Sequence, residues 1–227
     1  MAKKVVLKIG ELEKILNDYH HNECWKKIVS WFDKFGKNAA ERTKFLKSIM
    51  YTPKPLTAAD ASEKVEEFFV LQGDIIKTKA AVTNSPVFDG YNPTGYSYYV
   101  VVPSSCSVQP KKYKQVLLAR LLPIENTSGA IKSAFLESIT FQNKRLFYFP
   151  PIDGVAVGPF GFLGIFEEIS YIENSLLQSS TRVASLSLIG WHLLNAFLVN
   201  HYTRPSGDDF KIRQHVHHHD WSFNDGQ

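Results

Sequence analysis

Residues 68–79 read FFVLQGDIIKTK and residues 95–108 read GYSYYVVVPSSCSV, and these two stretches decide the fold class. Both contain short β-branched and aromatic runs that end at Gly, Asp, Pro or Ser, a pattern typical of strands bounded by turns. Similar runs follow in QVLLARLLPI, RLFYFP and FLGIFEEISYI. The continuous apolar run Val100-Val101-Val102 favours a strand that is buried on both faces. The middle of the chain therefore predicts a sheet.

Helical periodicity lies on both sides of these strands. In CWKKIVSWFDKF, apolar residues recur at spacings of three and four, and a second helix is expected from Asn38 to Met50. SEKVEEFF and NTSGAIKSAFLES predict two short helices. A helix from about Ser187 to Tyr202 is apolar around most of its circumference, so we expect it to be buried on several sides.

The order of helices, strands and a final helix, without alternating βα units, predicts an α+β fold. Short strands of varied spacing favour a small, partly closed barrel or a strongly curled antiparallel sheet, and we expect a curled antiparallel barrel that the C-terminal helix closes. We expect a helical segment at 1–56, the barrel domain with its helix at 57–205, and a polar, His-rich tail at 206–227.

Composition places the chain among ordinary globular proteins, with 227 residues, 44% hydrophobic and 21% charged. Cys24 and Cys106 are expected to be free thiols in a reducing cytosol. The N-terminal residues lack the apolar run of a signal peptide, and the longest apolar segment, near 15 residues, is too short for a membrane span. We therefore expect a cytoplasmic protein that does not enter a membrane.

The net charge of +4 is unevenly distributed: residues 1–71 carry +3, residues 72–160 carry +4 and residues 161–227 carry −3. The middle third interleaves cations with aromatic residues, the combination used to bind single-stranded nucleic acid. A solvated charged face is the alternative. The predicted nucleic-acid-binding residues are Lys77, Lys79, Lys111, Lys112, Lys114, Arg120, Lys144 and Arg145.

The Gly73-Asp74 turn into a strand, and the later apolar strand that ends at Pro103-Ser104-Ser105-Cys106-Ser107, resemble the start of the PemK/MazF/Kid-type barrel of plasmid-maintenance ribonuclease toxins. The chain also resembles uncharacterised bacterial proteins whose corresponding strand ends in a Ser-x-Cys-Asp motif. Arg182–Leu186 and Arg204-Pro205 share that second likeness. The resemblance covers roughly residues 70–205, and it makes Asp74, Ser104, Ser105 and Cys106 a motif loop.

Those toxins carry an Arg-Pro pair before the central strand, where this chain has Tyr96-Ser97-Tyr98-Tyr99. RNA cleavage needs a cation at the developing phosphorane and a proton acceptor near the 2′-hydroxyl. We therefore expect a non-enzymatic accessory module that binds nucleic acid, or a protein partner through its N-terminal helices. The resemblance implies a bacterial mobile-element or phage-defence setting. The alternative is an RNA-cleaving toxin with a divergent active site.

Other chemistry is weakly indicated. Cys106 follows a buried strand, but no histidine at a familiar spacing pairs with it, so a lone thiol is expected. The tail cluster of His215, His217, His218 and His219 is expected to be solvated rather than a metal site. The sequence lacks P-loop, dinucleotide-binding, HExxH and CxxC motifs. We expect no cofactor and no metal.

Overall fold

The computed structural model is a mixed α+β fold, and its described residues contain five helices and eight strands. These residues are 11–12, 14–15, 24–35, 39–51, 70–79, 82–83, 97–105, 107–108, 113–129, 131–178 and 180–202.

The helices lie close to their predicted positions. They are α1 (Cys24–Phe35), α2 (Ala39–Ser48), α3 (Ile131–Ile139), α4 (Asn174–Gln178) and α5 (Leu188–Tyr202). The short α4 was not predicted, and the helix predicted for SEKVEEFF lies outside the described residues.

Five of the strands match the predicted runs. The strands are β1 (Met50–Tyr51), β2 (Ile75–Thr78), β3 (Val82–Thr83), β4 (Ser97–Val101), β5 (Gln115–Pro123), β6 (Leu146–Phe149), β7 (Phe162–Glu173) and β8 (Thr181–Leu186). The sequence pattern missed β1, β8 and a separate β3.

All strand pairs are antiparallel, and the order is β1-β8-β2-β4-β5-β7-β3. The twelve-residue β7 pairs with β5 along one edge and with both β6 and β3 along the other. Within the described residues, the strand path starts at β1 and ends at β3 without closing. The predicted closed barrel is therefore not confirmed, and the two strands that end the path are only two residues long.

The sheet is buried on both of its faces. Val100 belongs to a main core that the sheet shares with α1, α2 and α5, whereas Val101 belongs to a second core on the opposite face. The expectation that this strand is covered on two sides is thus confirmed. In the main core, aromatic rings of the helices pack edge-to-face against rings of other elements. The Phe32 and Phe141 ring centroids are 4.9 Å apart, and those of Phe147 and Phe197 are 5.4 Å apart.

The aromatic residues of α1 are part of this main core. Trp25, Trp31 and Phe32 are buried, whereas Lys26 and Lys27 on the other side of the helix are exposed. These three rings of the N-terminal helices therefore belong to the core.

Helix α5 packs unusually close to the turn between α2 and β1. A Cβ atom added to Gly190 would lie 2.0 Å from the backbone oxygen of Ile49, and the Ser187 amide donates to that same oxygen at 2.9 Å. Gly190 is the residue that permits this approach, because any larger residue would collide with backbone. The helix is apolar around its circumference and buried on several sides, as predicted.

Candidate functional site

The turn that precedes β2 positions Asp74. Gly73 has a φ of +84°, and an added Cβ would lie 2.5 Å from Leu186 Cδ1, so both conformation and space favour glycine. The Gly73 amide donates to the Val101 carbonyl at 2.8 Å, and the Val101 amide donates to the Asp74 carbonyl at 3.0 Å. The turn is thereby anchored to the end of β4.

The Asp74 carboxylate is fully buried and accepts three hydrogen bonds. Its Oδ2 accepts from the Leu71 amide at 2.8 Å and from Arg182 Nη1 at 3.2 Å, and its Oδ1 accepts from Ser185 Oγ at 2.5 Å. Burial raises the pKa of Asp74, while the bonds from Ser185 and Leu71 and the charge of Arg182 oppose that rise. A group without solvent access cannot reach a substrate, so this carboxylate acts within the fold.

Gln72 extends the same polar cluster to β4 and to α5. Its backbone amide donates to Ser105 Oγ at 3.1 Å, and its Nε2 donates to the Val102 carbonyl at 2.9 Å. Its Oε1 accepts from Trp191 Nε1 at 2.9 Å. Gln72 therefore holds the end of β4 and the first turns of α5 together. We call Gln72, Asp74, Ser105, Arg182 and Ser185 the polar joint.

The polar joint brings together three segments that the sequence resemblance singled out: Gly73-Asp74, the loop after β4, and Arg182–Leu186. Ser104 does not follow this pattern, since it is exposed and its Oγ lies 2.9 Å from Ser107 Oγ. Cys106 lies outside the described residues. The convergence gives these residues a structural role at the junction of β2, β4, β8 and α5.

Two of the predicted nucleic-acid-binding cations lie on opposite faces of the sheet. Lys77 pairs with Tyr98, whereas Arg120 pairs with Tyr99. Because consecutive strand residues point to opposite faces and paired residues share a face, Lys77 and Arg120 point in opposite directions. Lys77 Nζ lies 5.9 Å from the Tyr98 ring centroid.

The other described members of the basic set are exposed. Arg145 forms an exposed ion pair with Glu167, with Nε 3.4 Å from Oε1. Lys79, Lys114 and Lys144 are exposed, and Lys111 and Lys112 lie outside the described residues. The register of the sheet thus separates Lys77 from Arg120.

A surface that sequence reasoning missed lies between α2, α3, β1 and the segment after β6. It holds two adjoining cavities of about 330 and 380 Å³, both lined by Lys47, Pro150, Pro151 and Pro159. We call the pair the proline groove. Its exposed rings are Tyr51, 50% exposed, and Phe160, 44% exposed. The Pro150-Pro151 pair and the later Pro159-Phe160 were the available sequence signals.

A metal-binding cluster and a membrane-spanning helix are both absent from the part of the chain that the structure describes. No group of three or more His, Cys, Asp or Glu residues there could hold a metal ion. None of the helices in those residues combines the length and apolar character needed to cross a membrane. The tail histidines from His215 to His219 lie outside the described residues.

Comparison with known proteins does not assign a family. No protein-family model matches the chain, and the search of curated proteins also gives no match.

Proposed function

We propose that this chain is a non-enzymatic accessory module that binds a protein partner at the proline groove. The observation that carries the proposal is the pair of half-exposed rings, Tyr51 and Phe160, at the two adjoining cavities. Contiguous exposed apolar surface lined by a few polar groups is typical of interaction sites. The mobile-element or phage-defence setting, and a PemK/MazF-like ancestry, belong to this proposal through the resemblance alone.

The polar joint supports a binding role over RNA cleavage. Its most distinctive carboxylate, Asp74, is sealed from solvent, and the Arg182 side chain beside it is only 17% exposed. A ribonuclease would need its proton acceptor and its cation to reach the substrate. Because Asp74 and Arg182 are engaged with each other, they favour a role in the fold over a role in cleavage.

Protein binding is also better supported than nucleic-acid binding at the predicted basic set. Single-strand recognition uses a continuous track of cations together with rings on which bases stack. Lys77 and Arg120 lie on opposite faces, and Arg145 is engaged with Glu167. The proline groove instead combines two half-exposed rings with prolines and other apolar side chains.

The test is affinity capture of the tagged, full-length chain from the cells that encode it. The variant Tyr51→Ala/Phe160→Ala removes both exposed rings of the groove. The matched control is Tyr113→Ala/Leu117→Ala, since these side chains are 60% and 49% exposed and do not line either cavity. We expect one stoichiometric partner with the wild type and the control, and at least a tenfold loss with the groove variant.

Two results would overturn this proposal. Equal recovery of the partner by the groove variant would place the interface elsewhere. Fragmentation of RNA by the purified wild-type chain, lost in Arg120→Ala or Arg145→Ala, would favour the toxin instead.

A further inference from the structure

We infer that the proline groove binds a short peptide segment that combines an apolar anchor with an acidic side chain. This inference rests on the proposed function and specifies the chemistry of its partner. It starts from the division of the groove into two cavities with different linings.

The cavity beside α3 is the site for the apolar anchor. Its walls include Leu46, Phe135, Ile139 and Tyr148 together with the shared prolines, and its volume of about 330 Å³ is sufficient for a large aliphatic or aromatic side chain. The Phe135 and Tyr148 rings meet at an interplanar angle of 72°, with centroids 5.9 Å apart. The pocket is thus apolar on several sides.

This cavity is held in shape before any ligand arrives. Tyr148 Oη donates to the Phe160 carbonyl at 3.1 Å, which ties the wall of the pocket to its rim. Burial raises the pKa of Tyr148 to about 12, so the hydroxyl remains a donor across the physiological range. The prolines have fixed φ angles. A preformed pocket loses little conformational entropy on binding, which favours affinity for a short segment.

The charge of the groove selects the polar part of the peptide. Lys47 lines both cavities and is exposed, and Arg42 lines the cavity beside α3. Among the described residues that line the groove, Asp153 is the single acidic one, and it lies in the cavity beside β1. A carboxylate placed next to the anchor would therefore meet two cations, whereas a second cation would be repelled.

The same features favour a peptide over an oligonucleotide. Two cations provide few phosphate contacts, and the affinity of nucleic-acid proteins depends on many such contacts. Tyr148 is only 6% exposed, so this ring offers little surface for base stacking.

The experiment uses the full-length chain and three synthetic decapeptide pools with identical randomised apolar positions. Their fixed polar positions are Glu in one pool, Gln in the second and Lys in the third, and a dT oligonucleotide is the fourth probe. Binding is measured by fluorescence anisotropy at low and physiological salt. We expect the Glu pool to bind about three to ten times more tightly than the Gln pool, with the preference reduced by salt.

Charge reversal at the groove provides the matched variants. Lys47→Glu should remove the preference for the Glu pool and shift it toward the Lys pool. Lys114→Glu makes the same change at an exposed lysine away from the groove and should leave the preference intact. Far-UV circular dichroism and a urea midpoint confirm that both variants remain folded.

The outcomes separate this inference from the proposed function. Equal binding of all three peptide pools, unaffected by Lys47→Glu but lost in Tyr51→Ala/Phe160→Ala, would overturn the acidic-peptide inference and leave the groove as the interface. Tighter binding of the dT oligonucleotide than of any pool, lost in Lys47→Glu, would overturn it in favour of nucleic acid. The capture experiment described above tests the groove proposal itself.

Discussion

At the scale of single residues, Asp74 connects parts of the chain that are far apart in sequence. It accepts hydrogen bonds from Leu71 beside it and from Arg182 and Ser185 on β8. Removing a buried acceptor leaves each of its donors without a partner, which costs more than the net value of the bonds. Substitutions of Asp74 alone therefore measure how much the polar joint contributes to the free energy of unfolding.

The first prediction compares two substitutions of Asp74. Asp74→Ala removes the acceptor of all three donors and should lower the free energy of unfolding by about 2–4 kcal/mol. Asp74→Asn retains one acceptor oxygen and should lower it by less than half as much. Urea unfolding of both purified variants provides the measurement. A stable Asp74→Ala protein would show that the joint does not support the fold.

The second prediction concerns pH. Burial raises the pKa of Asp74 above its ordinary value of 3.8. Above pH 3.8, the Asp74 carboxyl is therefore protonated in a larger fraction of folded chains than of unfolded chains. Unfolding then releases a proton. The contribution of this carboxyl to the free energy of unfolding therefore falls as pH rises from 3.8 through the raised pKa.

The substitution Asp74→Asn cannot titrate and isolates this effect. The unfolding free energy of the wild type minus that of Asp74→Asn should decrease as pH rises from 3.8 through the raised pKa of Asp74. Urea curves of the two proteins at matched pH values give this difference. A difference that increases with pH would mean that Arg182 and the other donors outweigh burial.

At the scale of elements, the contact between α5 and the turn after α2 depends on one missing side chain. Alanine normally favours a helix over glycine by roughly 1 kcal/mol, so Gly190→Ala would stabilise an isolated helix. Here its Cβ would meet the Ile49 oxygen at 2.0 Å, and backbone on both sides resists movement.

The third prediction is that this collision outweighs helix propensity. Gly190→Ala should destabilise the chain by about 1–3 kcal/mol, the usual range for overpacking. The control is Leu188→Ala at the exposed start of the same helix, where Leu188 is 71% exposed and a change within about 0.5 kcal/mol is expected. Thermal or urea unfolding checks both. A stabilised Gly190→Ala protein would contradict the close packing.

Elements with strong local patterns were predictable, and those defined by distant partners were not. The apolar spacing in α1 and the β-branched runs of β2, β4, β5, β6 and β7 are local signals, and these elements lie where expected. β8 reads TRVASL, with polar residues at its start, and it becomes a strand because β2 and β1 pair with it on both edges. Its Arg182 and Ser185 are explained only by Asp74, more than a hundred residues earlier.

The candidate sites show the same division between features with a local sequence signal and features that depend on distant parts of the chain. The Gly73-Asp74 and Ser105 motifs were visible in the sequence, but their burial was not, because burial depends on how β8 and α5 cover them. The proline groove required five separate stretches of the chain to meet, including Ala184 of β8. The two faces occupied by Lys77 and Arg120 follow from strand register, which composition does not specify.

At the scale of the whole molecule, one core joins the N-terminal helices to the sheet. The Phe32 ring is 1% exposed and contacts Phe45 of α2 and Phe141 near β6, with centroids 5.7 and 4.9 Å apart. Trp25 of α1 likewise meets Phe197 of α5. Residues on both sides of the expected boundary near residue 56 therefore share buried surface, which couples their stability.

The last prediction tests that coupling with Phe32→Ala. Loss of a buried ring from α1 should lower the free energy of unfolding by about 3–5 kcal/mol. Because the core is shared, tryptophan fluorescence, which reports Trp25, Trp31, Trp191 and Trp221, should shift to the same lower urea midpoint as the far-UV circular dichroism of the sheet. Phe160→Ala, at a 44% exposed ring, is the control and should shift neither signal appreciably. A lower midpoint by fluorescence, with an unchanged midpoint by circular dichroism, would mean that the N-terminal helices unfold as a separate unit. A cooperative core does not behave in this way, because all of its parts unfold at the same urea concentration.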